Sequence, residues 1–299
     1  MMPGQHPKTS PSRHTTAAAL LAATTVTAMT APLALAEDVE NGDLGIPQVT
    51  PCSERYPLIA SPVPALDSDT PQDAVRQGFG TQSDWGTEDN VEILSSDATG
   101  LGEPGMRVLY PEGTSSPSDT EEGGAGFYSK APPSDRACLQ YKVRFEPGFD
   151  FVKGGKLPGL YGGEAPSGGT EADGENGFSM RFMWREGGQG ELYEYVVNTD
   201  EDYGASIGRG LWHFPTGQWV TIEQEIILNT PDQEDGVARV WIDGRPILEQ
   251  QGIVYRTTEN VAIDGLMFST FFGGDGEDWR TPRDQTIDFA AFRFYAPAQ

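Results

Sequence analysis

Two short segments place side chains that could move protons at strand spacing. In "FSMRFMW" Ser179 and Arg181 alternate with bulky apolar residues, and in "ELYEY" Tyr193 and Tyr195 repeat the same i, i+2 spacing. Because alternate residues of a strand share a face, each pair is predicted on the polar face of its strand. If the two strands pair as a hairpin through "REGGQGE", the hydroxyl, the guanidinium and the two phenols share one patch. A register slip of one residue would send either pair into the core.

Lysine is scarce in this chain, so its placement is informative. Only five lysines occur among 299 residues with a formal net charge of −25, and Lys153 and Lys156 stand together in "FVKGGKLPGL". We interpret this stretch as a loop in which Gly154, Gly155 and Gly159 let a ligand approach the backbone. The loop is predicted to bind an anion, with Lys156 joining the patch. The alternative is a turn with solvated lysines.

Such a patch suits β-elimination from a uronic acid. The C5 proton is poorly acidic while the neighbouring carboxylate is ionised, and a cation against that carboxylate stabilises the developing enolate. A base then takes the C5 proton, and an acid protonates the departing O4. Tyrosine can do both if nearby positive charge lowers its pKa from about 10, and Lys156 and Arg181 could supply that charge. The reaction requires no metal or redox centre, so no cofactor is predicted.

Each member of the patch also has a purely structural interpretation. Tyrosines at i, i+2, such as Tyr193 and Tyr195, are ordinary residues of β-strands. Arg181 could pair with one of the many surface acids. The joint placement favours the functional interpretation.

Two other functions remain possible on the same fold. One is a carbohydrate-binding protein without turnover. The other is a glycoside hydrolase with a carboxylate pair, for which Glu223 and Glu225 share a strand face and Glu191 and Glu194 lie near the tyrosines. No strand carries an E-x-D-x-x-E arrangement of acid and nucleophile, which argues against the hydrolase.

The segment "FFGGDGEDWRTPRDQ" is a second candidate site. Trp279 could stack on a sugar ring, and Arg280 or Arg283 could bind a further uronate; the alternative is a glycine-rich corner between strands. Calcium could bind to three acids there, although their spacing matches no known loop and no metal site is predicted. These acids are Asp275, Glu277 and Asp278.

Basic residues are concentrated around the glycine-rich segment and the first of the two strands. The six between 142 and 185 are Lys142, Arg144, Lys153, Lys156, Arg181 and Arg185. Such a bias is expected of a groove for a polyanion on an otherwise acidic surface. The residues predicted to bind substrate are Lys153, Gly154, Gly155, Arg185, Trp279 and Arg280.

The first 36 residues are typical of a secretory signal peptide. Lys8 and Arg13 precede an apolar run rich in Ala, Leu and Thr, and "ALA" ending at Ala36 comes directly before Glu37. This small-x-small pattern predicts cleavage after Ala36 and a secreted protein.

The remaining chain is predicted to form one all-β domain. Residues 37–75 are rich in Pro, Ser and Asp and are interpreted as a tether that joins the domain late. From residue 76 to residue 299, short alternating runs are separated by Gly, Pro, Asn and Asp. These runs predict an antiparallel β-sandwich or jelly roll without a helix of useful length.

Charge and cysteine content restrict the partners and the compartment. The acidic surface argues against nucleic acid and anionic membranes, which it would repel. Cys52 and Cys138 are predicted to form a disulfide in an exported protein, the alternative being two unpaired thiols. One histidine, His213, follows the signal segment, which argues against His-rich metal sites and Ser-His-Asp catalysis. A monomer is expected.

Several blocks together resemble polysaccharide lyase family 14. They are "VLYPEGTSSP", "GGAGFYSKAP", "GFDFVKGGKLPGLYGG", "FSMRFMWREGGQGELYEY" and "STFFGGDGEDWRTPRDQTIDFAAFRFY". The similarity runs from about Ile93 to Tyr295, and "KGGKLPGL" is its most specific block. The resemblance implies a concanavalin-like β-jelly roll that cleaves a polyuronate, such as alginate or glucuronan, and leaves an unsaturated uronate.

The resemblance also implies a catalytic set by motif. Its members are Lys156, Ser179, Arg181, Tyr193 and Tyr195. Lys156 and Arg181 would hold the substrate carboxylate, and Ser179 would orient it. One tyrosine would move the proton; we favour Tyr195, with Tyr193 as the alternative.

Overall fold

A computed structural model describes residues 44–119, 123–199 and 201–298 of the chain. The signal peptide predicted for residues 1–36 lies outside these described residues. Within them the chain is built almost entirely of β-strands, with three short α-helices and two single turns of 3-10 helix.

The elements are numbered here in chain order. The strands are β1 (Leu44–Gly45), β2 (Leu58–Ala60), β3 (Asp84–Trp85), β4 (Val91–Leu94), β5 (Gly105–Tyr110), β6 (Ala125–Ser134), β7 (Arg136–Phe145), β8 (Gly154–Gly163), β9 (Gly177–Arg185), β10 (Gly190–Tyr195), β11 (Ala205–Ile207), β12 (Val220–Ile227), β13 (Gly236–Ile242), β14 (Arg245–Ile253), β15 (Ile263–Phe272) and β16 (Gln285–Tyr295). The helices are α1 (Cys52–Arg55), α2 (Pro71–Phe79) and α3 (Ser96–Thr99), and the 3-10 turns are Glu186–Gly188 and Glu277–Trp279.

The strands form two antiparallel sheets. The nine-stranded sheet has the order β1-β14-β13-β12-β7-β16-β5-β4, with β2 also pairing with β16. The seven-stranded sheet has the order β11-β10-β9-β8-β15-β6-β3. This arrangement confirms the predicted antiparallel β-sandwich of the jelly-roll kind.

The core lies between the two sheets, and the alternation in the sequence determines which side chains enter it. Tyr141 and Phe145 of β7 and Phe182 and Trp184 of β9 are fully buried there. Burying a large apolar side chain stabilises the fold by about 1.5–3 kcal/mol. Because strand residues alternate, the polar residues of β9 are directed to the opposite, outer face of the seven-stranded sheet.

The segment predicted as a tether is integrated into the sandwich over its described part. Strand β1 pairs with β14, and β2 pairs with β16. Helix α2 is capped at its N-terminus by Thr70, whose Oγ1 accepts a hydrogen bond from the Asp73 backbone N–H at 3.0 Å. Its Val75 and Phe79 pack into the main core. The helix crosses the predicted boundary at residue 75, and its nine residues were too few to give a clear helical period.

The glycine-rich segment predicted as a loop is strand β8, and that prediction was wrong. A Cβ on Gly155 would overlap the Trp184 ring, and a Cβ on Gly159 would overlap the carbonyl oxygen of Met180. Gly154 has φ +144°, a conformation that favours glycine. These glycines therefore allow β8 to pack closely against β9, a contact that a single sequence does not reveal.

Cys52 and Cys138 form a disulfide that joins α1 to β7. The bond closes a loop of 86 residues, for which the chain-entropy model gives about 4–5 kcal/mol of stabilisation. No helix in the described part of the chain is long and apolar enough to cross a membrane.

Candidate active site

The β9–β10 hairpin brings the two predicted pairs together. Tyr193 lies opposite Arg181, and Tyr195 lies opposite Ser179. The strands are connected through the 3-10 turn Glu186–Gly188, in which Gly187 has φ +67°. The register is therefore the one that places all four side chains on the outer face of the seven-stranded sheet, as predicted.

Lys156 enters the same cluster from the neighbouring strand β8. It pairs with Met183 of β9, and its Nζ donates to the Met183 Sδ at 2.9 Å. The Nζ also lies 3.9 Å from the centroid of the Tyr193 ring, and the Arg181 Cζ lies 5.9 Å from the same centroid. Two cations thus flank one phenol ring.

Neither cation has an acidic partner within the described residues. Arg181 is only 3% exposed; its Nη1 donates to the Ser269 Oγ at 3.4 Å, and its Nε has no acceptor. The hydrogen bond of Lys156 is to a thioether sulfur, which is a weak acceptor. Burying a cation without a counterion is costly, and an anion bound here would offset that cost. The interpretation of Arg181 as half of a surface ion pair does not hold.

The same burial changes the protonation of Lys156. Burial, followed by repulsion from Arg181 and Arg185, holds the pKa of Lys156 well below its usual value. An anion bound beside the ammonium would oppose this effect and favour the charged form. Anion binding and protonation of Lys156 are therefore coupled.

Burial has the opposite effect on the neighbouring phenol. It raises the pKa of Tyr193, an effect that Tyr195 strengthens and Arg181 opposes. The prediction that positive charge lowers the phenol pKa therefore fails for Tyr193, because burial outweighs the cation. Tyr193 is protonated at neutral pH and can act as a donor.

A loop that the sequence analysis did not single out covers the tyrosines. Residues 164–176 connect β8 to β9. The Gly169 N–H donates to the Tyr195 hydroxyl at 3.3 Å, and Ala172 belongs to one buried apolar cluster with Met183 and the two tyrosines. Ser179 is fully buried, and its Oγ donates to the Pro166 carbonyl oxygen at 2.6 Å. Ser179 therefore anchors this loop, and its role in orienting a substrate carboxylate stays a prediction. The length and glycine content of the segment are the signal that could have identified it.

The family model of polysaccharide lyase 14 matches residues 98–292. The chain belongs to polysaccharide lyase family 14. The match covers most of the range over which the sequence blocks resemble this family, and it confirms that resemblance.

Solved structures agree with the family assignment. A marine PL-14 alginate lyase from Aplysia kurodai is 30% identical, covers 81% of this chain and 100% of its own, and has a TM-score of 0.70. The alginate lyase vAL-1 from a Chlorella virus is 19% identical with a TM-score of 0.63, covering 80% of this chain and 99% of its own. An endo-β-1,4-glucuronan lyase from Trichoderma reesei is 10% identical with a TM-score of 0.53, covering 80% and 96%. The last two show the fold alone, and no curated protein matches the chain.

Three of the predicted substrate-binding residues of this family 14 lyase meet beside the cluster. The Lys153 Nζ lies 5.6 Å from the Trp279 ring centroid, and the Arg185 Cζ lies 6.0 Å from it. Unlike the inner cations, both have acidic partners: Lys153 pairs with Asp278, and the Arg185 Nε donates to Glu191 at 2.8 Å. Gly154 and Gly155 lie at the start of β8 next to this group.

The remaining residues of the second candidate segment are engaged elsewhere. Arg280 pairs with Asp119 at 3.3 Å, and the Arg283 Nη2 donates to the Gly148 carbonyl oxygen at 2.6 Å. Among the described residues, the three acids considered for calcium do not form a three-carboxylate cluster.

The carboxylates considered for a hydrolase are not arranged as a catalytic pair. Glu223 and Glu225 lie on β12 of the other sheet, where both are hydrogen-bonded to neighbouring side chains. Glu191 is held by Arg185, and Glu194 is directed into the core, where Gln250 donates to it at 2.9 Å. The geometry of the outer face therefore favours a lyase.

Proposed function

We propose that this polysaccharide lyase cleaves an anionic polyuronate, such as alginate or glucuronan, by β-elimination. The observation that supports the proposal is a pair of cations, the buried Arg181 and the half-buried Lys156, without an ion-pair partner in the described chain. A uronate carboxylate is the ligand that would neutralise them. The alginate lyase from Aplysia kurodai, at 30% identity, supports the same substrate class.

In this proposal the two cations stabilise the negative charge that forms during the reaction. Lys156 and Arg181 hold the carboxylate at C5, on which charge accumulates as the enolate develops. Because the side chains are fixed and largely removed from water, their electrostatic effect is larger than it would be in solution.

The tyrosines move the protons. Tyr195, acting as a phenolate, takes the proton from C5 and becomes a phenol, and the electron pair of the C5–H bond becomes the C4=C5 double bond as the C4–O4 bond breaks. A proton must reach the departing O4, and Tyr193, whose pKa is raised by burial, is protonated and suited to donate it. The products are a new end with a free hydroxyl and an unsaturated uronate.

The test follows the ultraviolet absorbance of the unsaturated product. Purified protein is incubated separately with polymannuronate, polyguluronate and glucuronan, beside Tyr195→Phe and a control, Tyr203→Phe, at an exposed tyrosine. We expect absorbance to rise on at least one polymer, to be lost in Tyr195→Phe and to persist in Tyr203→Phe. New reducing ends without absorbance would indicate a hydrolase, and binding without either product would indicate a carbohydrate-binding protein.

We also propose that the enzyme is secreted, on the basis of the signal-peptide pattern in residues 1–36. The N-terminal sequence of protein recovered from the culture medium tests this, and it should begin at Glu37.

A further inference from the structure

An aromatic surface lies on the same outer face as the catalytic cluster, across strands β15, β6 and β3. The Trp85 and Phe271 ring centroids are 6.0 Å apart, and Tyr128 is 38% exposed. A Cβ on Gly126 would overlap the Trp85 indole, so this glycine makes the space in which the indole rests against β6. We call Trp85, Phe271 and Tyr128 the aromatic platform.

The platform is continuous with the catalytic cluster. A pocket lined by Trp85, Tyr128 and Met267 also includes Ser269, whose Oγ accepts the hydrogen bond from the Arg181 Nη1. Neighbouring strands are about 4.8 Å apart, so β15 lies about 10 Å from the strand of Arg181 and β3 about 19 Å from it. A polymer that crosses the strands from Arg181 therefore passes over the platform.

Strand β3, which carries Trp85, is anchored by the neighbouring Asp84, and the charge of that carboxylate is neutralised. Asp84, directly before Trp85, has a side chain with no exposure and accepts hydrogen bonds from the Arg76 Nε at 2.6 Å and the Gln72 Nε2 at 2.9 Å. The Thr87 hydroxyl also donates to this carboxylate. A neutralised acid does not repel a polyanion, and an anchored strand holds the indole in place.

We propose that the aromatic platform is a distal subsite that stacks on a sugar ring of the same polyuronate, two or more residues away from the cleaved bond. The inference rests on the proposed function, because it takes the polymer bound at Arg181 as its occupant. Lys156 pairs with Phe271 at the inner edge of the platform, but no cation in the described chain lies over the Trp85 ring. Trp85 would therefore recognise the C–H face of the sugar ring and leave the carboxylate in water. The inner cluster recognises charge, whereas the platform adds affinity that depends on chain length.

The experiment compares Trp85→Ala with Trp85→Phe and a control on the other sheet, Trp219→Phe. Trp219 contacts Arg144, whose Cζ lies 4.4 Å from its ring, and its Nε1 donates to the Thr99 carbonyl oxygen. The values of kcat and KM are measured on oligouronates from the shortest that is cleaved to the full polymer. Loss of one ring contact is expected to raise KM for long substrates about tenfold relative to the shortest one, with little change in kcat. Trp85→Phe should restore most of the length dependence, and Trp219→Phe should match the wild type.

If Trp85→Ala changes KM equally at every substrate length, or at no length, the proposal of a distal subsite is wrong. Binding of the same oligouronates is measured in parallel by calorimetry, which separates this proposal from the proposed function. A wild type that cleaves no polyuronate but binds long chains through Trp85 would refute the lyase function and support the platform. A wild type that neither cleaves nor binds them would refute both.

Discussion

The two outer faces of the sandwich use the same residue types in opposite ways. On the nine-stranded sheet, the fully buried Glu225 accepts hydrogen bonds from Arg55 at 2.6 Å, from Arg239 at 3.1 Å and from the Tyr56 hydroxyl at 2.5 Å. On the seven-stranded sheet, Arg181 and Lys156 lie close to one tyrosine ring, and neither forms an ion pair with a carboxylate in the described chain. The Glu225 group is a closed ion cluster, whereas Lys156 and Arg181 have no ion-pair partner among the described residues, although Glu191 on their own face is paired with Arg185 and Arg209.

Whether a cation has an ion-pair partner separates structural from functional residues better than the presence of an arginine or a tyrosine does. The chain has 45 acidic and only 20 basic residues, so an acidic partner is available to almost any arginine on the surface. In a cluster with equal numbers of acids and cations, hydrogen bonds and ion pairs offset the cost of removing the charges from water. Cations without an acid lower the stability of the fold until a bound anion neutralises them. This difference is the reason we propose that the ligand binds at the two cations without ion-pair partners in the described part of the chain, Lys156 and Arg181.

The largest effect is expected from removing the acid of the balanced cluster. Glu225→Ala removes the fully buried acid that holds the partly buried Arg55 and Arg239. Loss of one partner of a buried ion cluster costs about 3–5 kcal/mol in the free energy of unfolding. Urea denaturation measures this loss, and Glu92→Ala, which removes an exposed acid 3.7 Å from Arg107, is the control. The structural role of Glu225 is refuted if both variants unfold at the same urea concentration, or if Glu225→Ala stays folded and loses enzymatic activity.

The reverse pattern is expected at the unbalanced cluster. Arg181→Met removes a buried cation that has no counterion, so kcat/KM should fall by about 100- to 1000-fold while the unfolding midpoint stays equal or rises. Activity on the cleaved polymer and urea denaturation are measured on the same preparation. Arg245→Met, at an exposed arginine, should change neither quantity. A large loss of stability in Arg181→Met with normal kcat/KM would show that Arg181 is a structural residue.

The sequence predicted which side chains share a strand face, because this depends only on the alternation of apolar and polar residues. The pattern of β9 and β10 predicted that Arg181 and Tyr193 share a face if the two strands pair as a hairpin. The sequence left the register of that hairpin open, and the structure shows Tyr193 opposite Arg181. The need for glycine at position 155 could not be predicted from the sequence. A side chain there would overlap the Trp184 ring, and this contact exists only once β8 and β9 have paired. The absence of an acid near Arg181 likewise depends on every strand packed around it.

A third buried group, the carboxyl of Glu194, lies in the core between the two sheets and is an acid without a cation beside it among the described residues. Glu194 is 1% exposed, and Gln250 donates to its Oε1 at 2.9 Å, while the Glu194 Oε2 and the Gln250 Oε1 have no partners in the described chain. A proton on the Glu194 Oε2 could be donated to the Gln250 Oε1, which would satisfy both atoms. Burial, opposed by the hydrogen bond from Gln250, raises the pKa of Glu194 from 4.5 to about 7. An acid without a cation thus keeps its proton, just as Lys156 without an anion tends to lose one.

The contribution of Glu194 to the stability of the fold should therefore decrease as the pH rises. The folded chain holds the Glu194 proton more tightly than the unfolded chain, so this contribution is fully present below about pH 4.5 and is lost as the pH rises through about 7. The loss is about 3–4 kcal/mol, measured as the free energy of unfolding in urea at several pH values. Glu194→Gln cannot ionise and should flatten this part of the profile, whereas Glu201→Gln, at an exposed acid, should not. Parallel profiles for wild type and Glu194→Gln would mean that Glu194 is ionised in the fold and that a buried charge persists here without a partner.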